Sequence, residues 1–173
     1  MPNLVIRSES IGDENEIYEL VKSAFSRAEH SDGTEQDLVN NLRRSDAYIK
    51  ELSLVATLDG KIVGFILFTK VKISGVEVLA LAPLAVLPGY QSKSIGGRLI
   101  LKGHEIAKGL GFRGSIVLGS ENYYPKFGYE KASQYKIVAP FDVPDKNFMA
   151  IELLEHGLTD VEGIVEYSSC FTE

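Results

Sequence analysis

The chain has one cysteine, Cys170, so no intrachain disulfide can form, and the missing Cys/His spacing leaves that thiol incidental rather than catalytic, with no metal expected. Long apolar runs are missing too. The longest, Val78 to Leu87, is interrupted by Pro83 and falls well short of the ~20 residues a membrane span needs. The opening residues, MPNLVIRSES, lack a basic segment followed by an apolar one, so neither secretion nor membrane insertion is expected, and the cytoplasm is the expected location. There is no basic tail, and a net charge of −6 disfavours binding to nucleic acid. One absence is local: from Val78 to His104 there is no Asp or Glu, although the chain carries 24 of them, while Lys93, Arg98 and Lys102 lie in that run.

What is present fits one folded domain. With 173 residues, 45% of them hydrophobic and 24% charged, the chain can bury a core without disulfides or a structural metal. The expectation is a single domain over 1–173, with a core over about 4–154 and a C-terminal strand extension over about 155–173. Leu4 to Arg7 reads as a strand. A helix follows, with Asp13 and Glu16 as a capping box and Ile17, Leu20, Val21 and Ala24 at helical spacing. A second helix is predicted over Thr34 to Arg44. Ser53–Leu58 and Lys61–Lys70 flank Asp59-Gly60, a strong hairpin signal, and Ser74-Gly75 turns the chain again into an apolar strand over Val76–Val86. Ser94–Lys108 reads as a helix that packs Ile95, Leu99, Ile106 and Leu110 inward. Ser115–Leu118 then returns parallel to the strand before that helix. YKIVAP, FMAIEL and GIVEYS are further strands, so the fold class is α/β (α+β), with a mixed, mostly antiparallel sheet flanked by helices.

The acid-free run contains a strand, a turn, GYQSKSIGG, and a helix start. Unpaired amides and the helix dipole make such a junction an anion site, and Lys93 adds charge. Gly89, Ser92, Ser94, Gly96 and Gly97 leave room for a bulky ligand. Neither a Walker loop nor a dinucleotide fingerprint fits the turn.

LAVLPGYQSKSIGGRL, Leu84 to Leu99, resembles the acetyl-coenzyme A signature of the GNAT N-acetyltransferases, with Gln91, Ser94 and Gly96 at its three marked places. YYPKFGY resembles the family's Tyr-x-x-x-Gly-Phe/Tyr ending, and Pro140 to Leu153 resembles a segment of small bacterial members. The resemblance implies a GNAT-type fold that binds acetyl-CoA and passes its acetyl group, without a metal, to a primary amine on a small molecule or peptide. It is compatible with a homodimer. The cofactor residues it implies are Leu84, Ala85 and Val86 through their backbone, then Gln91, Ser92, Lys93, Ser94, Ile95, Gly96, Gly97 and Arg98. Ser94 stands where the family usually has glycine, and its hydroxyl is expected to cap the helix or reach a phosphate oxygen. Tyr124 matches the general-acid tyrosine. Tyr123 is the alternative, because Pro125 is expected to keep Tyr124 out of helical geometry. Glu29 and Glu35, with His30 and Asp32, belong to the acceptor or base side, and His104 is read as a surface or core histidine rather than a catalyst. A noncatalytic acyl-CoA sensor is the rival reading.

Overall fold

The computed structural model describes residues 3–26, 28 and 31–171. Four strands form an antiparallel meander: β1 (Leu4–Ser8), β2 (Ser53–Leu58), β3 (Lys61–Ile73) and β4 (Val76–Val86). The β2–β3 turn places Asp59 at φ 52° and Gly60 at φ 83°, the paired left-handed geometry that Asp-Gly accepts and that matches strand twist. Ser74 and Gly75, at φ 49° and 83°, repeat the device between β3 and β4.

Helices α1 (Glu14–Phe25) and α2 (Glu35–Arg43) fill the β1–β2 connection and bury Ile17, Leu20, Val21, Val39 and Leu42 against Phe65 and Leu67 of the sheet. The capping box differs from the expected one. Ser10 N–H donates to Asp13 Oδ2 at 2.7 Å, so Asp13 closes the box from its third position and also pairs with Arg7, while Glu16 accepts from Ile62 N–H at 2.9 Å. Buried Glu9 ties α2 to the sheet by accepting from Arg43 Nε at 3.1 Å, from the Tyr48 hydroxyl at 2.9 Å and from Ser53.

Helix α3 (Ile95–Gly109) crosses the opposite face of the sheet and leads to β5 (Gly114–Leu118), which pairs parallel with β4. Its inward face carries Ile95, Leu99, Ile100, Gly103, His104 and Ala107, whereas Leu110 is 44% exposed. The helix ends there in a Schellman motif: Phe112 N–H reaches Ala107 O, Gly111 N–H reaches Lys108 O, and Gly111 takes φ 89°, so Leu110 stands at the C-cap, the last right-handed residue of the helix.

β6 (Glu130–Lys131) and β8 (Phe148–Glu152) extend the sheet beyond β5, since β8 pairs antiparallel with both. β7 (Ile137–Val138) pairs parallel with β9 (Gly163–Glu166), and β9 joins the end of β3 through Lys72↔Glu166 and Ile73↔Val165. The C-terminal segment therefore returns onto the α1/α2 face. No helix among the described residues is long and apolar enough to cross a membrane.

Candidate functional site

β4 and β5 stay together only at Leu79↔Ser115 and Ala80↔Ile116, after which the strands part. Two features of β4 favour the split. Its register with β3 shifts between Phe68↔Leu81 and Ile66↔Leu84, which bends the strand, and Pro83 has no N–H to offer a ladder. The open edge beyond the split can be assigned by alternation: Leu87 N–H donates to Val63 O of β3, so Ala85 also faces β3 while Leu84 and Val86 turn N–H and C=O toward the split. Val86 O is held by Gln91 Nε2 at 2.9 Å. Ala85, expected to contribute backbone groups alongside its neighbours, has those groups turned to β3.

At the end of β4 the chain turns into α3 with Ser92 at φ 61° and Ser94 at φ 67°. Left-handed residues among right-handed ones direct successive amides into one concavity, and the N-terminus of a fifteen-residue helix without an acid in its first turn adds its dipole. A serine in this conformation costs about 1 kcal/mol relative to glycine. The Ser94 hydroxyl makes no capping hydrogen bond, contrary to one of the two expectations for it, and Ser92, Lys93 and Ser94 are exposed. Lys61 and Lys93 lie 5.5 and 5.9 Å from the Tyr90 ring centroid, so two cations border the turn. Gln91 also lines a cavity of about 800 Å³ together with Lys22, Ser23 and Pro88, placing the end of α1 beside the turn. Arg98 lies elsewhere, in a shallow depression with Ile6, Lys102 and Glu105.

On their Cβ side Gly96 and Gly97 face neighbouring side chains of the protein. A Cβ on Gly96 would stand 2.6 Å from the Tyr123 hydroxyl, and one on Gly97 would stand 2.9 Å from the Phe127 ring. These glycines admit the 3-10 turn Tyr124–Phe127 and its flanking Tyr123 against the start of α3. Pro125 sits in the first turn of that segment, where its missing N–H is harmless, so it does not keep Tyr124 out of helical geometry.

The two tyrosines face different things. Tyr123 directs its hydroxyl at the first turn of α3, while Tyr124 lays its ring on Gly119, directly after β5, and edge-on to Tyr129 with centroids 5.9 Å apart. Burial raises the Tyr123 phenol and pushes that of Tyr124 up to about 12, with a smaller contribution from neighbouring Tyr123. Both are protonated at neutral pH and available as donors. Behind them runs a buried polar chain: Ser115 Oγ lies 2.8 Å from the Tyr129 hydroxyl, which lies 3.1 Å from His104 Nε2. Burial, then the nearby Lys108 charge, lowers His104 to about 4, so a neutral, buried ring shares a hydrogen bond with the Tyr129 hydroxyl, the core one of the two places its sequence position allowed.

On the other face of the split lies a cavity of about 650 Å³ among Leu38, Ala82, Leu118, Phe141, Tyr167 and Phe171. It adjoins a smaller one of about 380 Å³ that shares Leu38 and Phe171 and adds Asp32, Glu35 and Asp37. Glu35 accepts from Ser31 Oγ at 2.7 Å, and the Thr34 hydroxyl and amide hold the Asp32 carboxyl below its ordinary range. Glu29 and His30 lie outside the described residues. Sequence reasoning missed the aromatic residues. The strand alternation of Val165 and Tyr167 was a usable signal, but nothing local indicated that Phe141 would join them.

Residues 14–129 match the acetyltransferase (GNAT) family. The chain is 37% identical over 140 residues to an uncharacterized N-acetyltransferase of Escherichia coli K12, YjhQ, covering 78% of this chain and 75% of that one. The crystal structure of E. coli YhbS, a GNAT family N-acetyltransferase in complex with CoA, superposes with a TM-score of 0.90 at 28% identity over 99% of this chain and 93% of that one. A GNAT family acetyltransferase of Brucella melitensis in complex with acetyl-CoA gives 0.81 at 32% identity over 97% of both chains.

Proposed function

The chain belongs to the GNAT acetyltransferase family, and from that premise we propose how its own residues move an acetyl group from acetyl-CoA to a primary amine. Acetyl-CoA supplies the activated acetyl as a thioester. The amides at the start of α3, with Ser92, Lys93 and Ser94, receive its diphosphate. Leu84 and Val86 offer their split-facing backbone groups to the pantetheine arm, for which the Gln91 amide releases Val86 O.

The amine nitrogen bonds to the acetyl carbon, the carbon–sulfur bond breaks, and the departing thiolate needs a proton. Tyr124 holds that proton, since its phenol is neutral at physiological pH and its ring sits where β5 leaves the split. Tyr123, at the first turn of α3, is the alternative donor. The nitrogen's surplus proton leaves toward the acidic side of the site, where Glu35 lies; Glu29 is assigned to the same side. Residues 1–173 work as one N-acetyltransferase domain, in the cytoplasm.

The observation that carries this reading is that one strand split adjoins an anion-binding helix start, two neutral phenols and, on its far face, a cavity for a second substrate. Thiol release from acetyl-CoA across a panel of amines tests it. Amine-dependent release supports transfer, whereas tight acetyl-CoA binding with no release for any amine would leave only the sensor reading.

A further inference from the structure

The cavity on the far face of the split has a composition unlike the rest of the site. Ala82 and Leu118 border the parting strands, Leu38 comes from α2, and Phe141, Tyr167 and Phe171 close the outside. The three aromatics form a row, with centroids 6.0 Å apart from Phe141 to Tyr167 and 5.1 Å from Tyr167 to Phe171. Glu166, exposed at the rim, is the one carboxylate among the lining residues. A volume of about 650 Å³ suits a small molecule, and walls of this kind reward apolar surface more than charge. The carboxylates Asp32, Glu35 and Asp37 lie in the adjoining pocket, across Leu38 and Phe171.

The geometry points to a small primary amine carried on an aromatic or branched aliphatic body as the acceptor, seated between the β4–β5 split and the Phe141–Tyr167–Phe171 row. The adjoining acidic pocket attracts the ammonium form, and the apolar chamber favours the neutral amine that attacks, because burial in low dielectric penalises the charged state. A polyamine would have to desolvate further charges in a mostly apolar chamber, at a cost that an apolar body does not carry. The C-terminal segment thereby becomes part of the specificity apparatus, since Tyr167 and Phe171 both belong to it. This inference rests on the acetyl-transfer reading of the site.

The chain contains no tryptophan, so tryptamine brings the only indole to the mixture and its fluorescence reports its own surroundings. Titrating tryptamine with the full-length protein is expected to shift indole emission to the blue. Phenethylamine in excess should reverse the shift and spermidine should not. In the parallel thiol-release assay, kcat/KM for phenethylamine should exceed that for spermidine by about tenfold or more, the scale on which apolar pockets discriminate. Phe171→Ala should lower kcat/KM for phenethylamine about tenfold, mainly through KM, while leaving acetyl-CoA affinity unchanged. Thiol release that favours spermidine, with no blue shift, would overturn the chamber assignment and leave acetyl transfer standing. A blue shift with no thiol release for any amine would overturn the acceptor assignment together with the transfer reading.

Discussion

The two faces of the β4–β5 split are built in opposite ways. On the α3 face the groups assigned to the cosubstrate's diphosphate and arm come from one continuous stretch, Leu84 to Gly97, and most are backbone amides and carbonyls held by secondary structure. On the far face they come from α2, the two split strands, the Pro140–Phe141 segment and the C-terminal segment, and most are side chains. A shared cosubstrate with a fixed diphosphate can be met by fixed backbone geometry. An acceptor is met by side chains that change without disturbing the sheet.

Experiments that break or sharpen this contrast differ in expected size. Tyr124→Phe should lower kcat by about 100-fold to 10,000-fold, because it removes the leaving-group proton, while acetyl-CoA affinity stays nearly constant. Tyr123→Phe is the control. A large loss there and none at Tyr124→Phe would move the acid to the residue at the start of α3.

Next in size is the pH response of the α3 face. His104 is depressed to about 4 in the fold against an ordinary 6.5, so its neutral packing stabilises the protein above about pH 6.5, and that contribution is lost as the pH falls toward 4. The loss should approach about 3 kcal/mol at most. Urea unfolding at neutral and acid pH should show a steeper decline for the wild type than for His104→Gln, and equal declines would refute the buried-imidazole account.

Acetyl-CoA at about 100 times its dissociation constant should add about 2.7 kcal/mol, a rise of several degrees in melting temperature, whereas an amine bound only at the far face should add less. No shift at saturating acetyl-CoA would remove the cosubstrate from this site. The smallest effect concerns close packing. Gly96→Ala puts a methyl group against the Tyr123 hydroxyl and should cost about 1–3 kcal/mol, and combining it with Tyr123→Phe should recover most of that loss. An unrepaired loss in the double variant would mean that the methyl clashes with something other than the hydroxyl.

The same contrast explains what could be read from the sequence. The β2–β3–β4 meander was legible because Asp59-Gly60 and Ser74-Gly75 encode local backbone geometry, and the parallel return at β5 because a helix separates two apolar strands. The turn before α3 was legible for the same reason. The closeness of Tyr123 and Phe127 to Gly96 and Gly97 was not legible, because those aromatics arrive from a distant segment of chain. The chamber stayed hidden because Leu38, Phe141 and Phe171 are far apart in sequence and share no period. Leu110 keeps the helical spacing but is exposed because it is the C-cap, where the helix ends.

The central claim is that the edge of β4 beyond Ala80 receives the thioester arm. Amide hydrogen exchange with and without saturating acetyl-CoA tests it most directly. The account predicts that the Leu84 and Val86 amides, which face the split, exchange more slowly when acetyl-CoA is bound, while Ala85, already turned to β3, changes little. Unchanged exchange at Leu84 and Val86 in a protein shown to hold acetyl-CoA would contradict it.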